Sequence, residues 1–401
     1  MQPKDMSIAH CHASWVQFPV SPDRQHTSDF GRICQFDAAI VRVETECGIV
    51  GWGEAKNAAG SAGDYAALIY LLNNEIAPRL IGLDARDINN IWSRLYNGPR
   101  HVHALARGHG MPQLGRRGLN IAGMSGIDIA LWDILAKSLD VPLWRLLGGR
   151  RTARLPVYAS GGWAGIDDIG EELLGYVTKY GSHAVKMRVG VMDGSPEGSA
   201  ARVRAARKSL GSGVDLMCDA HGTFTVADAK RFCYLVRDCD LAWLEEPVTG
   251  DDKAGLGEVR RSTAIPIAAG ESEYTRFDFR DLIAERAVDI LQPDTAVCGG
   301  ITEALHIATL AATYNLRFIP HLWAGAPSFF AGLQVSAAAT AGCILEYPVG
   351  ANSLLTELID EPVEVIDGHI NVPDSPGLGF NIREEALIEH TVKIPWTHKT
   401  N

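Results

Sequence analysis

Charged and polar side chains recur along the middle of the chain at a nearly constant interval, each where a short apolar run ends. The runs are AVKMR (Lys186, Arg188), VDLMCD (Asp219), LAWLEE (Glu245, Glu246), IPIAAGE (Glu271), VDILQPD (Asp294), LRFIPH (His321) and AGCILE (Glu346). An interval of roughly 25 residues fits one β-strand, one α-helix and two short loops. The sequence therefore predicts an α/β chain built from repeated strand–helix units.

In a barrel of alternating parallel strands and helices, the C-terminal ends of all strands lie on one rim. The polar residues that end these runs are therefore expected to converge on one site. A single Asp or Glu at a strand end is more often a helix cap or a solvated loop residue. The prediction of an active site rests on the whole series.

Length and charge limit the classes of function. A chain of 401 residues fits a barrel of about 250 residues plus a second domain of about 100 to 150. The net charge of −11 and the pI near 5.6 argue against a nucleic-acid partner, which needs a basic face. An acidic pocket in an acidic protein instead suggests a bound cation and a small-molecule substrate.

The cysteines and the N-terminus bear on the compartment. Eight cysteines form no CxxC pair and several lie in apolar runs, so we expect buried free thiols in a reducing environment. The N-terminus lacks the apolar core of a signal peptide, and we expect no apolar span of 18 residues after it. These features predict a cytoplasmic protein with no membrane partner. Apolar helices at the surface would favour a homo-oligomer.

Residues 1–128 lack the regular strand–helix repeat and are predicted to form an α+β domain, with strands first and helices after them. Asp37 to Ala55, DAAIVRVETECGIVGWGEA, alternates around a Gly-containing turn and predicts a β-hairpin. Asp87 is predicted to cap a helix whose apolar stripe consists of Ile88, Ile91, Trp92 and Leu95. The segment before the hairpin, FPVSPDRQHTSDFGR, is predicted to be a mobile loop, either a plain surface loop or a lid.

Asn97 to Leu119 is rich in Arg, His and Gly and leaves two interpretations open. It is either a solvated connector or a segment that folds over the acidic rim, in its own or a neighbouring subunit, to hold an anionic substrate. The run after it is predicted to be one long helix that ends at Gly148 and Gly149 and contains the passage between domains. We expect the barrel to span residues 129–370, and residues 371–401 to return to the first domain.

Three carboxylates at the ends of consecutive predicted strands indicate a metal site: Asp219, Glu245 and Glu271. Side chains this close would repel and raise one another's pKa unless a cation lies among them. All-oxygen ligation suits Mg²⁺, and no His or Cys is placed to complete a zinc site. The alternative is three unrelated helix caps or salt bridges.

Bases and cations are predicted to face this acidic group. Lys186 and Arg188 are two residues apart on one strand and so point to the same side. His321 ends the seventh predicted strand, and Asp294, one strand away, could fix its tautomer and raise its basicity. This combination predicts abstraction of a proton next to a carboxylate, with a metal ion, Lys186 and Glu346 stabilising the enediolate.

As an ordered set, K-x-R, D-x-H, W-L-E-E-P, G-E, P-D, H-L-W and a Glu on the eighth strand resemble the mandelate racemase subgroup of the enolase superfamily. GWGEA, SGIDIALWDI, LLGG and PDSPGLG are similar to signatures of that family outside the rim. The resemblance covers nearly the whole chain. It implies an α+β capping domain completed by the C-terminal tail, a modified TIM barrel of the (β/α)₇β type and one essential Mg²⁺ per subunit.

The resemblance also implies roles for individual residues. Asp219, Glu245 and Glu271 become the metal ligands, His321 with Asp294 a general-base dyad, and Glu346 a hydrogen-bonding partner of the enolate. The loops Asp23 to Phe30 and Lys56 to Gly60 are expected to cover the site and select the substrate. The side chains expected to contact substrate are Arg24, His26, Lys56 and Trp323.

Two positions depart from the racemase pattern. The family's usual second base is Lys, whereas this chain has Arg188, a poor proton acceptor at neutral pH, which argues against two-base racemisation. His221 occupies the D-x-H position, expected on the same strand face as Asp219. In some sugar-acid dehydratases of the family, a His there resembles a general acid for the departing hydroxyl. The alternative is that His221 merely holds Asp219.

The sequence thus predicts a Mg²⁺-dependent dehydratase of a sugar acid, an aldonate or aldarate, that yields a 2-keto-3-deoxy acid. The expected catalytic side chains are Lys186, Arg188, His221, Asp294, His321 and Glu346. One alternative is a cycloisomerase, racemase or epimerase of a related lactone or hydroxy acid. Another is a catalytically silent metal- or ligand-binding barrel, which would have no need of Lys186, Asp294 and His321 together.

Overall fold

The computed structural model describes residues 5–57 and 62–394. Of the predicted loop Lys56 to Gly60, only Lys56 and Asn57 lie within the described residues. The strands in this part of the chain are β1 Ile8–Pro19, β2 His26–Ser28, β3 Gly31–Ile33, β4 Gln35–Thr45, β5 Val50–Ala55, β6 Arg154–Gly161, β7 Ala184–Arg188, β8 Asp215–Asp219, β9 Leu241–Glu245, β10 Ile267–Ala269, β11 Ile290–Leu291, β12 Arg317–Phe318, β13 Leu345–Pro348 and β14 His369–Asn371.

The α-helices of the same residues alternate with the strands in the second half of the chain. They are α1 Ala66–Tyr70, α2 Ile88–Asn97, α3 His101–Arg107, α4 Leu119–Ser138, α5 Leu143–Leu146, α6 Ile169–Tyr180, α7 Pro196–Leu210, α8 Val226–Leu235, α9 Lys253–Ser262, α10 Thr275–Ala284, α11 Gly300–Thr313, α12 Ala326–Ala338, α13 Ser353–Thr356 and α14 Glu384–Glu389. Short 3-10 turns and one π-helical stretch, Leu71–Ile76, connect some of them.

The strand–helix repeat forms a parallel barrel. Within residues 154–348, all of which are described, β6 to β13 pair in the order β12-β11-β10-β9-β8-β7-β6-β13, with α6 to α12 between them. Phe318 bridges Gly342, and its N–H donates to the Ala341 carbonyl at 3.1 Å, which joins the two edges of the sheet. The predicted (β/α)₇β barrel is confirmed.

The barrel interior explains why polar side chains reach the rim. An apolar layer fills the barrel, and its members include Ala184, Met217 and Trp243. Because side chains alternate along a strand, the residue two positions later points to the same interior. Those residues are Lys186, Asp219 and Glu245, which therefore lie directly above the apolar layer.

The N-terminal part contains an antiparallel sheet in the order β1-β4-β5, and the predicted hairpin is its β4–β5 pair. The apolar stripe of α2 is buried as predicted. Asp87 stands at the N-cap of α2, but its side chain makes no capping hydrogen bond, so that prediction is wrong. Its backbone (φ −81°, ψ 49°) departs from the extended conformation that turns a capping side chain toward the helix N–H groups.

The segment predicted to be a mobile loop is instead a small hairpin, β2–β3, in which His26 pairs with Ile33 and Ser28 with Gly31. The β1–β4 ladder continues as far as Pro19 opposite Gln35. The two ends of the segment are therefore held side by side, and the chain between them closes into a second antiparallel pair.

Helix α4 ends ten residues before the predicted end at Gly148. Residue Pro142 follows it, and a proline disfavours helical geometry in the residue before it. The helix is buried on nearly all sides. Ile127, Ala130, Leu131 and Ile134 pack in the core of the N-terminal domain, whereas Ile129 and Ala136 pack in the core that surrounds the barrel.

By length and composition, Leu119–Ser138 could cross a membrane, so the expectation that no such span exists is wrong. In the structure, 78% of its most apolar window is buried inside the protein, as in a core helix. A Cβ on Gly53 would lie 1.9 Å from the Gly126 carbonyl oxygen, so this close approach of β5 and α4 requires glycine. The two motifs GWGEA and SGIDIALWDI, which contain Gly53 and Gly126, are therefore in direct contact.

Two buried carboxylates of the N-terminal part satisfy the first N–H groups of barrel helices. Asp128 accepts from the Thr302 N–H (2.9 Å) and hydroxyl (2.5 Å) at the start of α11. Glu54 accepts from the N–H groups of Gly325 (2.8 Å) and Ser328 (3.2 Å) at the start of α12. Burial raises the pKa of both to about 7. These contacts join the two parts through backbone groups that would otherwise lack partners.

Removal of the Asp128 carboxylate is expected to destabilise the protein by about 2 kcal/mol, because it leaves buried donors of Thr302 unsatisfied. The measurement is the urea midpoint of Asp128→Ala against wild type. Asp87→Ala is the matched control, since Asp87 stands at a helix start without a side-chain cap. Equal urea midpoints for the two variants would contradict a stabilising role of the Asp128 carboxylate at the start of α11.

The C-terminal tail runs along both parts of the molecule. Strand β14 pairs antiparallel with β6, and farther on the Gln17 N–H donates to the His390 carbonyl at 2.9 Å. The Phe18 and His390 rings stack with centroids 4.0 Å apart. The predicted boundaries at residues 128 and 370 stay a proposal.

All eight cysteines are unpaired, as predicted. The prediction that they are buried is wrong for Cys34, Cys47 and Cys343, which are exposed. These three lie in connections next to strands, where the apolar runs that suggested burial are interrupted.

Candidate active site

The rim of the barrel gathers the predicted polar residues. Lys186 and Arg188 end β7, Asp219 ends β8 and Glu245 ends β9. The remaining members follow or lie in the next strands: Glu271 after β10, Asp294 after β11, His321 after β12 and Glu346 in β13. Residues up to 160 positions apart in the chain thus face one cleft.

Lys186 is the central cation of the site. Its Nζ lies 2.8 Å from Glu245 Oε1, 2.9 Å from Glu346 Oε1 and 3.4 Å from Asp219 Oδ2, and the side chain is 1% exposed. Burial alone would lower the pKa of Lys186, but Glu245 and Glu346 outweigh it and hold that pKa well above its usual range. Lys186 is therefore a fixed positive charge.

Asp219, His221 and Glu271 each offer one atom in a group that could hold a metal ion, with those atoms within 4.8 Å of one another. The third predicted ligand, Glu245, instead faces Lys186, and Gln292 Nε2 donates to its Oε2 at 2.8 Å. Glu246 is a further buried carboxylate beside Glu271, and it was not among the predicted ligands. Its position as the second Glu of the run LAWLEE is the sequence feature that could have identified Glu246 as a candidate ligand.

The carboxylate oxygens of the rim are suitable ligands for a hard divalent cation. Glu271 Oε2 is buried without a hydrogen-bond partner among the described residues, 3.4 Å from His321 Nε2. Burial and the neighbouring carboxylates raise the pKa of Glu245 to about 7 and that of Glu246 well above its usual range. A cation among these oxygens would relieve the repulsion, and carboxylate oxygens are the ligands that Mg²⁺ prefers.

His321 and Asp294 form the predicted pair. His321 Nδ1 lies 2.8 Å from Asp294 Oδ2, so its Nε2 faces Glu271 and the cleft. Burial alone would lower the pKa of His321, but Glu271 and Asp294 help to raise it, and the net direction is upward. Asp294 is held in turn by the Ala296 N–H at 2.8 Å and by Lys56 Nζ at 3.3 Å.

Glu346 completes the far side of the cleft. Its Oε2 accepts from the Leu322 N–H at 2.7 Å, and its Oε1 pairs with Lys186. Burial would raise the pKa of Glu346, but Lys186 and His321 lower it to about 2. Glu346 is thus ionised and bridges the lysine to the segment after β12 that bears the histidine.

Arg188 is ion-paired with Asp219. Burial alone would lower the pKa of the guanidinium, whereas Asp219 and Glu271 raise it, and the net direction is upward. This environment agrees with the prediction that Arg188 does not act as a base. The side chain also lines a cavity of about 480 Å³ between the β2–β3 hairpin and the loops after β6 and β7.

The prediction that His221 lies on the same strand face as Asp219 is wrong, because β8 ends at Asp219. His221 occupies the turn after β8 with a left-handed φ of +47°, which bends the chain back over the rim. Its Nε2 is 3.7 Å from Asp219 Oδ2, and its Nδ1 is 2.9 Å from Asp29 Oδ1 of the β2–β3 hairpin. The ring centroid of Phe30 lies 4.7 Å from that of His221.

A cavity of about 280 Å³ lies above the carboxylates. Side chains of the capping part and of the barrel both line it, namely Phe30, Lys56, Asn57, His221, Glu246, Glu271, Ser272, Tyr274 and Val297.

The four predicted substrate contacts have different surroundings. Lys56 binds Asp294 and donates to the Trp323 carbonyl at 3.0 Å. His26 stacks on Trp163 at 3.8 Å, and Trp163 meets the buried Trp323 edge-on at 5.7 Å. Burial and Arg188 lower the pKa of His26 to about 4. Arg24 is exposed and ends the 3-10 turn Pro22–Arg24, before the β2–β3 hairpin.

The basic segment Asn97 to Leu119 binds its own barrel. Arg117 pairs with the buried Asp278 of α10, and Arg100 donates to the Pro112 carbonyl. Asp278 also accepts from the Tyr274 N–H at 2.9 Å. These contacts anchor the segment to α10 beside the cavity, which favours the connector interpretation.

Two family descriptions match consecutive parts of the chain. "Mandelate racemase / muconate lactonizing enzyme, N-terminal domain" matches residues 17–148, and "Enolase C-terminal domain-like" matches residues 168–386. The chain belongs to the mandelate racemase/muconate lactonizing enzyme family. This confirms the family predicted from the ordered rim residues.

Curated relatives and solved structures are similar to this chain over most of their length. The chain is 34% identical over 371 residues to D-galactarolactone cycloisomerase of Agrobacterium fabrum, covering 89% of this chain and 92% of that one. It is 31% identical to arabinonate dehydratase of Saccharolobus solfataricus, covering 89% and 91%. A racemase from Streptomyces coelicolor A3(2) with bound magnesium superposes with a TM-score of 0.83 at 28% identity, covering 96% and 100%.

Proposed function

We propose that this family member is a Mg²⁺-dependent dehydratase of a sugar acid, an aldonate or aldarate. The observation that carries the proposal is the presence of two imidazoles at one carboxylate cluster. Each has its Nδ1 on an aspartate, His321 on Asp294 and His221 on Asp29. Each therefore directs Nε2 to the same cluster, which provides a base and an acid for one elimination. Relatives at about 31% identity that are named arabinonate and D-galactonate dehydratases support it.

The metal would be held by carboxylates of the rim, one ion per subunit. The proposed ligands are Asp219, Glu271 and either Glu245 or its neighbour Glu246. When bound, Mg²⁺ supplies a Lewis acid that polarises the substrate carboxylate and acidifies the adjacent carbon.

The side chains of this protein then perform the proton transfers. His321 Nε2 accepts the α-proton while Asp294 holds the Nδ1–H, and the fixed charge of Lys186 offsets the negative charge that develops on the enediolate. His221 enters this step protonated on both nitrogens: Nδ1–H stays on Asp29, while Nε2–H is transferred to the β-hydroxyl, whose C–O bond breaks, and water leaves. The resulting enol takes up a proton at C3, loses the proton of its C2 hydroxyl and becomes the 2-keto-3-deoxy acid.

Arg188 is proposed to be an electrostatic clamp. Its ion pair with Asp219 and its raised pKa keep Arg188 protonated, so Arg188 does not serve as the second base that racemisation requires.

The proposal is tested with a panel of aldonic and aldaric acids in the presence of Mg²⁺. We expect at least one acid to lose one water and give a 2-keto product. Solvent deuterium in recovered acid without any 2-keto product would instead identify an epimerase, and failure of every acid to react would contradict the proposal.

One alternative has specific support, since the chain is 34% identical to a D-galactarolactone cycloisomerase. That activity would start from the same proton abstraction but rearrange a lactone without loss of water. Mass spectrometry of the product distinguishes the two, because a cycloisomerase product has the mass of its substrate.

We also propose that the enzyme is a cytoplasmic homo-oligomer. Unpaired cysteines support a reducing compartment, and the large exposed side chains Val102, Leu105 and Leu114 support self-association of the capping part. Light scattering on the purified protein measures the oligomeric state, and a monomer at micromolar concentration would contradict it.

A further inference from the structure

The β2–β3 hairpin of the capping part brings an acid to the barrel site. Asp29 is in the turn of the hairpin, half-buried, with its two carboxylate oxygens 2.9 and 3.0 Å from His221 Nδ1. Phe30, the next residue, lies against the same ring at 4.7 Å. Asp29 and His221 are 192 positions apart in the chain, so this contact forms only when the hairpin lies on the barrel rim.

The contact determines which nitrogen of His221 faces the cleft. A carboxylate accepts, so Nδ1 carries the hydrogen that joins the two side chains. Nε2 then points to Asp219, at 3.7 Å, and is the nitrogen that carries the second, transferable proton when the ring acts as an acid on a leaving group. The left-handed turn at His221 positions the backbone, but the rotation and tautomer of the ring depend on Asp29.

The other imidazole does not depend on the hairpin. His321 is held by Asp294 of the barrel, and Asp294 by Ala296 and by Lys56, which follows β5. The base and the acid of the proposed reaction are thus oriented by different segments.

We propose that Asp29 is a positioning residue for His221. Through this contact, closure of the hairpin is required for loss of the hydroxyl but not for abstraction of the α-proton. The inference rests on the proposed dehydratase function. It assigns the hairpin a chemical part in the reaction in addition to covering the site.

The decisive variant is Asp29→Asn, assayed with an acid that wild type dehydrates, in D₂O with saturating Mg²⁺. We expect 2-keto product to form roughly ten- to a hundredfold more slowly, because the ring loses its fixed orientation. Exchange of the α-proton in recovered substrate should stay within about twofold of wild type, as should KM for the substrate. Asp29→Glu, which retains a carboxylate, should recover part of the rate.

Two comparisons isolate the effect. His221→Asn should show the same separation of exchange from elimination, with a larger loss of product. Asp167→Asn, which removes an exposed carboxylate from the loop after β6, should leave both rates unchanged.

Each other outcome contradicts the inference. Equal loss of exchange and elimination would mean that the hairpin merely closes the site. A weakened Mg²⁺ affinity would mean that His221 is a metal ligand that Asp29 supports. Wild-type elimination in Asp29→Asn would mean that the contact is incidental.

A measurement without substrate separates this inference from the proposed function. ¹⁵N spectra of histidine-labelled protein, recorded where the His221 ring is neutral and with His221→Asn to assign the signal, should show the Nδ1–H tautomer in wild type and its loss in Asp29→Asn. If no acid is dehydrated but the tautomer depends on Asp29, the dehydratase proposal fails alone. If dehydration occurs and the tautomer does not depend on Asp29, this inference fails alone.

Discussion

Replacement of His321 by asparagine is expected to lower dehydration roughly a hundred- to ten-thousandfold and to abolish exchange of the substrate α-proton with D₂O. The reason is geometric: His321 Nε2 faces the cleft, whereas its Nδ1 is held by Asp294 at 2.8 Å. Asparagine retains polarity but cannot accept the proton. Rates of deuterium incorporation and of 2-keto formation in the same sample measure both effects.

The control for His321 is a histidine at the other end of the barrel. His183 is exposed in the connection before β7, and His183→Asn is expected to retain wild-type exchange and dehydration. Continued α-proton exchange in His321→Asn would show that another group is the base. In that case, the roles of both imidazoles would have to be reassigned.

Replacement of Glu271 by glutamine is expected to lower activity by at least about a hundredfold by weakening metal binding. Glu271 Oε2 is buried without a hydrogen-bond partner in the described residues, as expected of an oxygen that is free to ligate. Treatment of wild type with a chelator should abolish activity, and added Mg²⁺ should restore it. These assays test the metal through catalysis.

Thermal stability tests the metal without catalysis. A ligand that binds only the folded state raises the unfolding midpoint, and its stabilisation grows with the logarithm of ligand concentration divided by Kd. Mg²⁺ should therefore raise the midpoint of wild type and of Glu285→Gln, a matched control at the exposed end of α10, but not that of Glu271→Gln. The same Mg²⁺ response in all three proteins would contradict a role of Glu271 as a ligand.

The barrel and most of its rim could be predicted from the sequence because both follow from local patterns. The interval between polar residues equals the length of one strand–helix unit. The two-residue alternation of side chains along a strand places Lys186 above Ala184 and Asp219 above Met217. The pairing of His321 with Asp294 follows from adjacency of neighbouring strand ends. None of these inferences needs knowledge of how distant segments pack.

Several of the missed features depend on distant packing. Asp29 reaches His221 only because the β1–β4 ladder closes the hairpin beside the rim, and the turn composition of that segment suggested a mobile loop. The left-handed φ of His221 has no sequence signal comparable to glycine. Glu54 and Asp128 cap helices more than 170 positions away, which no local pattern reports.

Helix α4 has a consequence for how this enzyme can be divided. Because one stretch of twenty residues supplies side chains to both hydrophobic interiors, neither half retains a complete interior when the chain is cut on either side of it. The two halves are therefore expected to melt in one cooperative step. A chimera that exchanges capping modules between relatives must take the matching helix, and the barrel surface that receives it, from the same parent.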